Sequence, residues 1–261
     1  MRFDLTILLF VLVASISFPQ IEDNAEKDFG KFFEVGGDVL TAPKDFKSDD
    51  WIKLSASIGV TGLALLFDND IKEFSQSNKT EFLNTVFKID DYYHSELMAV
   101  SIVILYSYAL IDKNNEVRNL SLRLAEATVY GSLINMSLKF VGGRSRPFYT
   151  QNPFEFDPFK TNFEQTSFPS GHSTLAFAFS SVMAKEYNNF LWKFGWYTIA
   201  GLTAYARVYN NEHWFSDIIF GSAIGIFVGE FVNSHSTNQK TELINQPILP
   251  PPSIISFSIP F

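Results

Sequence analysis

Phe168-Pro169-Ser170-Gly171-His172 leads without a spacer into Ser173–Ala184, an apolar stretch of helical length. Pro, Ser and Gly together give a chain its entry into a helix, because a serine oxygen at the cap accepts one of the unpaired N–H groups. The remaining N–H groups and the positive end of the macrodipole favour an anion at that mouth. His172 stands in it. Outward in both directions the same texture recurs, at Trp51–Phe67, Leu97–Ile111 and Ala127–Val141 before it and at Trp192–Val208 and Asp217–Val232 after it. The connections between these stretches, among them Asp68-Asn69-Asp70, Asp112-Lys113-Asn114-Asn115 and Tyr187-Asn188-Asn189, carry turn or helix-stopping residues. Strand signals are sparse and there is no internal repeat. The expected fold class is all-α, a six-helix bundle.

Composition narrows what such a bundle does. The chain has 261 residues, a net charge of -8 and no cysteine. An acidic chain lacks the basic face that phosphate backbones require, so nucleic acid is not an expected partner. The absence of cysteine excludes disulfides, thiolate metal sites and cysteine nucleophiles. Charged residues make up 18%, below the usual share of roughly 25%, and the mean hydropathy is +0.06. The 28 phenylalanines point to apolar surfaces that meet lipid or one another.

The N-terminus reads as an address. Arg2, an apolar run from Leu5 to Val13, and small residues at Ala14, Ser15 and Ser17 have the layout of a secretory signal. Residues 1–17 are therefore expected to form a signal peptide or N-terminal anchor, and the chain is assigned to a bacterial cell envelope. Residues 18–50 read as a polar segment of short surface helices, broken at Gly36-Gly37 and Pro43. The bundle domain is expected over 51–235, followed by a Pro-containing tail over 236–261. A membrane span takes about 20 mainly apolar residues, and Leu97–Ile111 is the most lipid-like stretch. Integral spans are expected in preference to a soluble bundle. If all six stretches cross, one side of the membrane receives the ends that carry the polar motifs described next.

Three segments concentrate cations and histidines in this charge-poor chain. Lys139 through Arg146-Pro147 closes the third stretch, Pro169-Ser170-Gly171-His172 opens the fourth, and Arg207, His213 and Asp217 span the fifth and sixth. Buried cations are costly unless they meet an anion. A spacing of four places His213 and Asp217 on one helical face, where the carboxylate can hold one imidazole nitrogen and make the other a better nucleophile. Taken alone, the pair reads equally as structural. Together the segments supply two histidines, a carboxylate and three cations, a set suited to binding and attacking a tetrahedral oxyanion. Arg144 reads either as a helper or as a solvated neighbour. His94, beside Asp90-Asp91, reads as a loop residue in preference to a metal ligand, and His235 as part of the tail. The phenylalanines between Phe148 and Phe168 read either as a rim for acyl or prenyl chains or as a loop packed on its own bundle.

The ordered set Lys139, Arg146, Pro147, then Pro169 to His172, then Arg207, His213 and Asp217 resembles the type-2 phosphatidic acid phosphatase and vanadium haloperoxidase superfamily. Ala206 departs from that pattern, where serine is usual. The resemblance implies a metal-independent phosphatase with a phosphohistidine intermediate. His213 would be the nucleophile, Asp217 its orienting carboxylate, and His172 the acid and then base. Lys139, Arg146, Arg207, the Ser170 hydroxyl and the Gly171 N–H would hold the phosphoryl oxygens. It implies no metal and no cofactor, with vanadate as an inhibitor. The expected substrate is a lipid phosphate: phosphatidate, phosphatidylglycerol phosphate or a polyprenyl diphosphate. The alternatives are a soluble periplasmic acid phosphatase acting on small phosphate esters and, further off, a haloperoxidase with vanadate as cofactor. Lipid-type members usually face outward, whereas an exported N-terminus followed by six spans would put these motifs in the cytoplasm.

Overall fold

The computed structural model describes residues 19–245 other than His94 and Phe163. The expected signal or anchor over 1–17 and the last part of the expected tail lie outside the described residues, as do those two side chains. All six apolar stretches are helices. They are α2 (Ser48–Leu65), α6 (Ser95–Ile111), α7 (Asn115–Gly142), α8 (Gly171–Glu186), α9 (Phe190–Tyr209) and α10 (Phe215–Asn245). Turn residues flagged in the sequence do the capping. Asn114 accepts from the Glu116 and Val117 N–H groups at 3.1 Å each, and Asn189 accepts from Trp192 N–H at 3.1 Å, each satisfying donors the first helical turn leaves open.

Two expectations need correction. The segment over 18–50 is not a set of short pieces: α1 runs unbroken over Pro19–Thr41, through Gly36-Gly37, and buries Val35 and Val39 in the main core. Gly36 is a contact residue and not a breaker, since a Cβ there would lie 2.5 Å from the Tyr130 hydroxyl. The polar stretch after α2 is also helical, forming α3 (Asp68–Ser77), α4 (Glu81–Val86) and α5 (Ile89–Tyr92). Beyond the expected end of the domain, α10 continues to Asn245.

α8 lies at the centre, packed on α7, α9 and α10. Its contact with α10 is set by glycines spaced four apart, one face of a helix. A Cβ at Gly221 would lie 2.5 Å from Ser170 O, one at Gly225 would lie 2.3 Å from Thr174 O, and one at Gly229 would lie 2.6 Å from Ser181 Cβ. Backbone therefore meets backbone, as in close helix pairs of small residues. Ser173, Thr174, Ser180 and Ser181 are buried along α8.

The apolar surplus is on the outside. Trp51, Ile52, Ile58, Val60 and Leu63 of α2 are exposed, as are Leu97, Ile104 and Ile111 of α6. Among the described residues, Phe215–Ser236 is long and apolar enough to cross a membrane. α2 and α3 pass the same test only as a pair bent by 60°. α6 is apolar but has 17 residues, which at 1.5 Å each falls a little short of a hydrocarbon core of about 30 Å.

Candidate active site

The three motifs meet at one end of the bundle, where α7 ends and α8 and α10 begin. Gly143 closes α7 with φ of 59°, and a Cβ there would overlap Asp157 O at 1.7 Å. This turn sends Arg144 inward. Its side chain is fully buried, with Nη1 donating to Asp217 Oδ1 at 2.5 Å and to Ser216 Oγ at 2.8 Å. Nη2 donates to Asp68 Oδ2 at 2.7 Å and Nε to Pro153 O at 2.8 Å. Asp68, the first residue of α3, also accepts from Ser216 N at 2.8 Å and Ser216 Oγ at 2.6 Å. One guanidinium thus joins two buried carboxylates, and Arg144 is not a solvated neighbour. The Ser170 N–H donates to Asp217 O at 3.1 Å, tying the entry of α8 to the first turn of α10.

In front of this layer is the predicted set. His213 lies in the turn before α10, not on the helix, so the first helical turn and the bend before it bring it to Asp217. Its Nδ1 is 3.4 Å from Asp217 Oδ2 and makes no hydrogen bond. That oxygen instead accepts from Trp214 N–H at 2.9 Å, the reach-back of a third-position carboxylate to its cap residue. His213 is buried, and burial holds it well below the ordinary histidine value of 6.5. The positive field of Lys139, Arg146, Arg207 and His172 pushes in the same direction. The ring is therefore neutral and carries a lone pair.

Lys139, in the last turn of α7, is buried and donates to Thr166 O at 2.9 Å. Arg146 Nη1 meets Glu212 Oε2 at 2.6 Å, and Arg207, in the last turn of α9, pairs with Asp90. The Nε groups of both arginines are buried donors without a hydrogen-bond partner. Ser170 caps α8, its oxygen accepting from Ser173 N–H at 3.4 Å and Ser173 Oγ at 2.9 Å, which leaves one O–H to donate. Gly171 and His172 form the first two positions of that helix. Sequence reasoning missed Asp68, Ser216, Asp90 and Glu212. Only Glu212 had a local signal, its place beside His213.

The loop from 148 to 168 is stitched to the 144–146 strip by bridges between Arg144 and Phe156 and between Ser145 and Thr166. Phe148, Phe154, Phe156 and Phe159 stay exposed, while Phe168 stacks on Phe220 with centroids 5.1 Å apart. His235 is helical, with Nε2 3.4 Å from Asp38 Oδ2. With Glu34 it forms the group of ligand-type side chains close enough to share a cation among the described residues. That group lies about 30 Å along α10 from His213, by the helical rise.

Residues 120–240, which carry every motif above, match the sequence model of the PAP2 superfamily. This region of the chain is similar to that superfamily. The chain is 42% identical over 69 residues to a lipid A 1-phosphatase of Porphyromonas gingivalis, a match covering 24% of the chain and 15% of the relative. It is 34% identical over 104 residues to a lipid A 1-phosphatase of Rhizobium etli, covering 39% of the chain and 44% of the relative. The chain thus spans less than half the length of these curated relatives. The crystal structure of a transmembrane PAP2 type phosphatidylglycerolphosphate phosphatase from Bacillus subtilis superposes with a TM-score of 0.54 and 19% identity. That likeness covers 81% of this chain and 95% of the other, and it concerns the PAP2 fold.

Proposed function

We propose that the chain is a membrane-embedded phosphatase of the cell envelope that hydrolyses a phosphate ester on a lipid headgroup, without a metal ion. The observation that carries the reading is a buried, neutral His213 ringed by Lys139, Arg146, Arg207 and His172, with two guanidinium Nε donors unpartnered beside it. Such a site is prepared for an anion and has a nucleophile inside it. The Ser170 hydroxyl and the N–H of Gly171 add donors at the positive end of α8.

In the first step His213 attacks phosphorus as the bond to the lipid oxygen breaks, and His172 gives that oxygen its proton. Lys139, Arg146 and Arg207 offset the charge on the equatorial oxygens. In the second step a water loses its proton to His172, attacks the phosphohistidine and releases orthophosphate with both histidines restored. Asp217, anchored by Arg144, steadies the imidazolium that forms. No step requires a metal. The exposed apolar faces of α2 and α6 and the open phenylalanines of the 148–168 loop support a lipid substrate over a small soluble ester.

The test is phosphate release by detergent-solubilised protein from a lipid phosphate and from a small aryl phosphate, each with EDTA and with vanadate. Preference for the lipid, indifference to EDTA and competition by vanadate are expected. Loss of activity on chelation, restored by a divalent ion, overturns the metal-free mechanism. Preference for the aryl ester in detergent-free buffer overturns the lipid substrate.

A further inference from the structure

Glu212 is an acidic side chain that bridges two of the cations assigned to phosphate, Arg146 and Arg207. The turn after α9 puts it there: Asn211 takes φ of 61°, and the N–H groups of Glu212 and His213 both donate to Arg207 O, at 2.8 and 3.2 Å. The carboxylate then lies with Oε2 2.6 Å from Arg146 Nη1 and 3.5 Å from Arg207 Nη2. The Glu212 side chain is 34% exposed, whereas the two arginines it bridges are 14% exposed. Its outer edge faces solvent and its inner oxygen faces the guanidiniums.

We propose that Glu212 stands in for a phosphoryl oxygen and competes with substrate and product for Arg146 and Arg207. This rests on the phosphatase reading above. A carboxylate oxygen shared by two guanidiniums uses the same donors and the same in-plane approach as a phosphoryl oxygen. Two anions at that distance repel each other, so a phosphate that engages both arginines displaces Glu212 toward the solvent. After hydrolysis the carboxylate, tethered three bonds from the backbone of the His213 turn, retakes the guanidiniums as orthophosphate departs. Glu212 therefore weakens phosphate affinity and speeds product release. Asp90 differs. It is buried against Arg207 and cannot swing out, so it fixes that arginine in place.

The experiment measures inhibition by orthophosphate and by vanadate, together with KM and kcat, for wild type and Glu212→Gln. Glutamine keeps the size and an acceptor oxygen but loses the charge. The inhibition constants for both anions and the KM are expected to fall about tenfold, a change of 1.4 kcal/mol, while kcat stays level or falls as product release slows. Glu212→Ala serves as the second variant and moves in the same direction. If Glu212 merely holds Arg146 in position, removing its charge weakens anion binding, and unchanged or raised inhibition constants overturn the proposal. Wild-type protein that neither releases phosphate nor binds vanadate defeats the phosphatase reading itself. Active wild type with an unresponsive variant defeats only the role of Glu212.

Discussion

Arg144 and Arg146 are two residues apart and belong to opposite kinds of environment. Arg144 sits at the back of the site with its donors divided between Asp68, Ser216, Asp217 and Pro153 O, wholly out of water. Arg146 stands at the front with one partner that can leave and a buried Nε that has none. The back is saturated and the front is owed hydrogen bonds. A buried polar network is rigid when every member is satisfied, and unpaired buried donors cost free energy until a ligand arrives. The difference separates cations with donors left open to a ligand from those that hold the frame.

Substitutions can break that division or sharpen it. His213→Ala should have the largest effect on turnover, abolishing it while leaving the thermal midpoint nearly unchanged, because no other front residue can carry the phosphoryl group. Residual activity within about tenfold of wild type, where tenfold is 1.4 kcal/mol, would remove His213 as nucleophile. Arg144→Met should damage both properties, since it strands two buried carboxylates, a loss of about 3–5 kcal/mol for a broken buried pair. Arg146→Met should lower kcat/KM with little change in stability. Equal stability losses for the two arginine variants, measured by thermal unfolding in detergent, would erase the distinction between back and front.

His172→Ala should cost about 10²–10⁴-fold on a lipid phosphate, the range for a positioned acid or base. The loss should shrink on an activated aryl phosphate, which departs without a proton. Equal losses on both substrates would mean that His172 binds and does not protonate. The smallest effect is expected at the rim. Replacing Phe154 and Phe156 by serine removes apolar area worth roughly 25 cal/mol per Å². The kcat/KM for a long-chain lipid phosphate should fall about fivefold or more, with a small ester nearly untouched. Parallel losses would make the loop a packing element.

The front of the site was legible in the sequence because its residues lie in short motifs with fixed spacing. The six main helices were legible for the same reason, each announced by an apolar run, with α7 and α9 opened by asparagine caps. The back was not. Asp68 is 76 positions from the arginine it holds, and Asp68-Asn69-Asp70 looks like turn punctuation when read locally. The unbroken α1 was hidden by Gly36-Gly37, and the meaning of Gly36 depends on a tyrosine ring from α7. The glycines at 221, 225 and 229 carried a readable signal, small residues spaced four apart, but the apolar reading of that stretch absorbed them. Local chemistry shows in sequence, whereas pairings across the bundle need the fold.

The seam of glycines between α8 and α10 has a consequence for how this chain can change over time. Because backbone rests on backbone there, the alignment of His172 with His213 is set by main-chain contact and owes little to the side chains around the mouth. The aromatic loop is tied to the 144–146 strip by short bridges and gives its Pro153 and Thr166 carbonyls to Arg144 and Lys139, so its exposed phenylalanines are the part left free to vary. Mutation can therefore rework those rings, and with them any choice of lipid under the proposed reading, while the alignment of the two histidines stays fixed. A lineage built this way can diversify its substrates one loop residue at a time, provided that nothing larger than hydrogen replaces those three glycines.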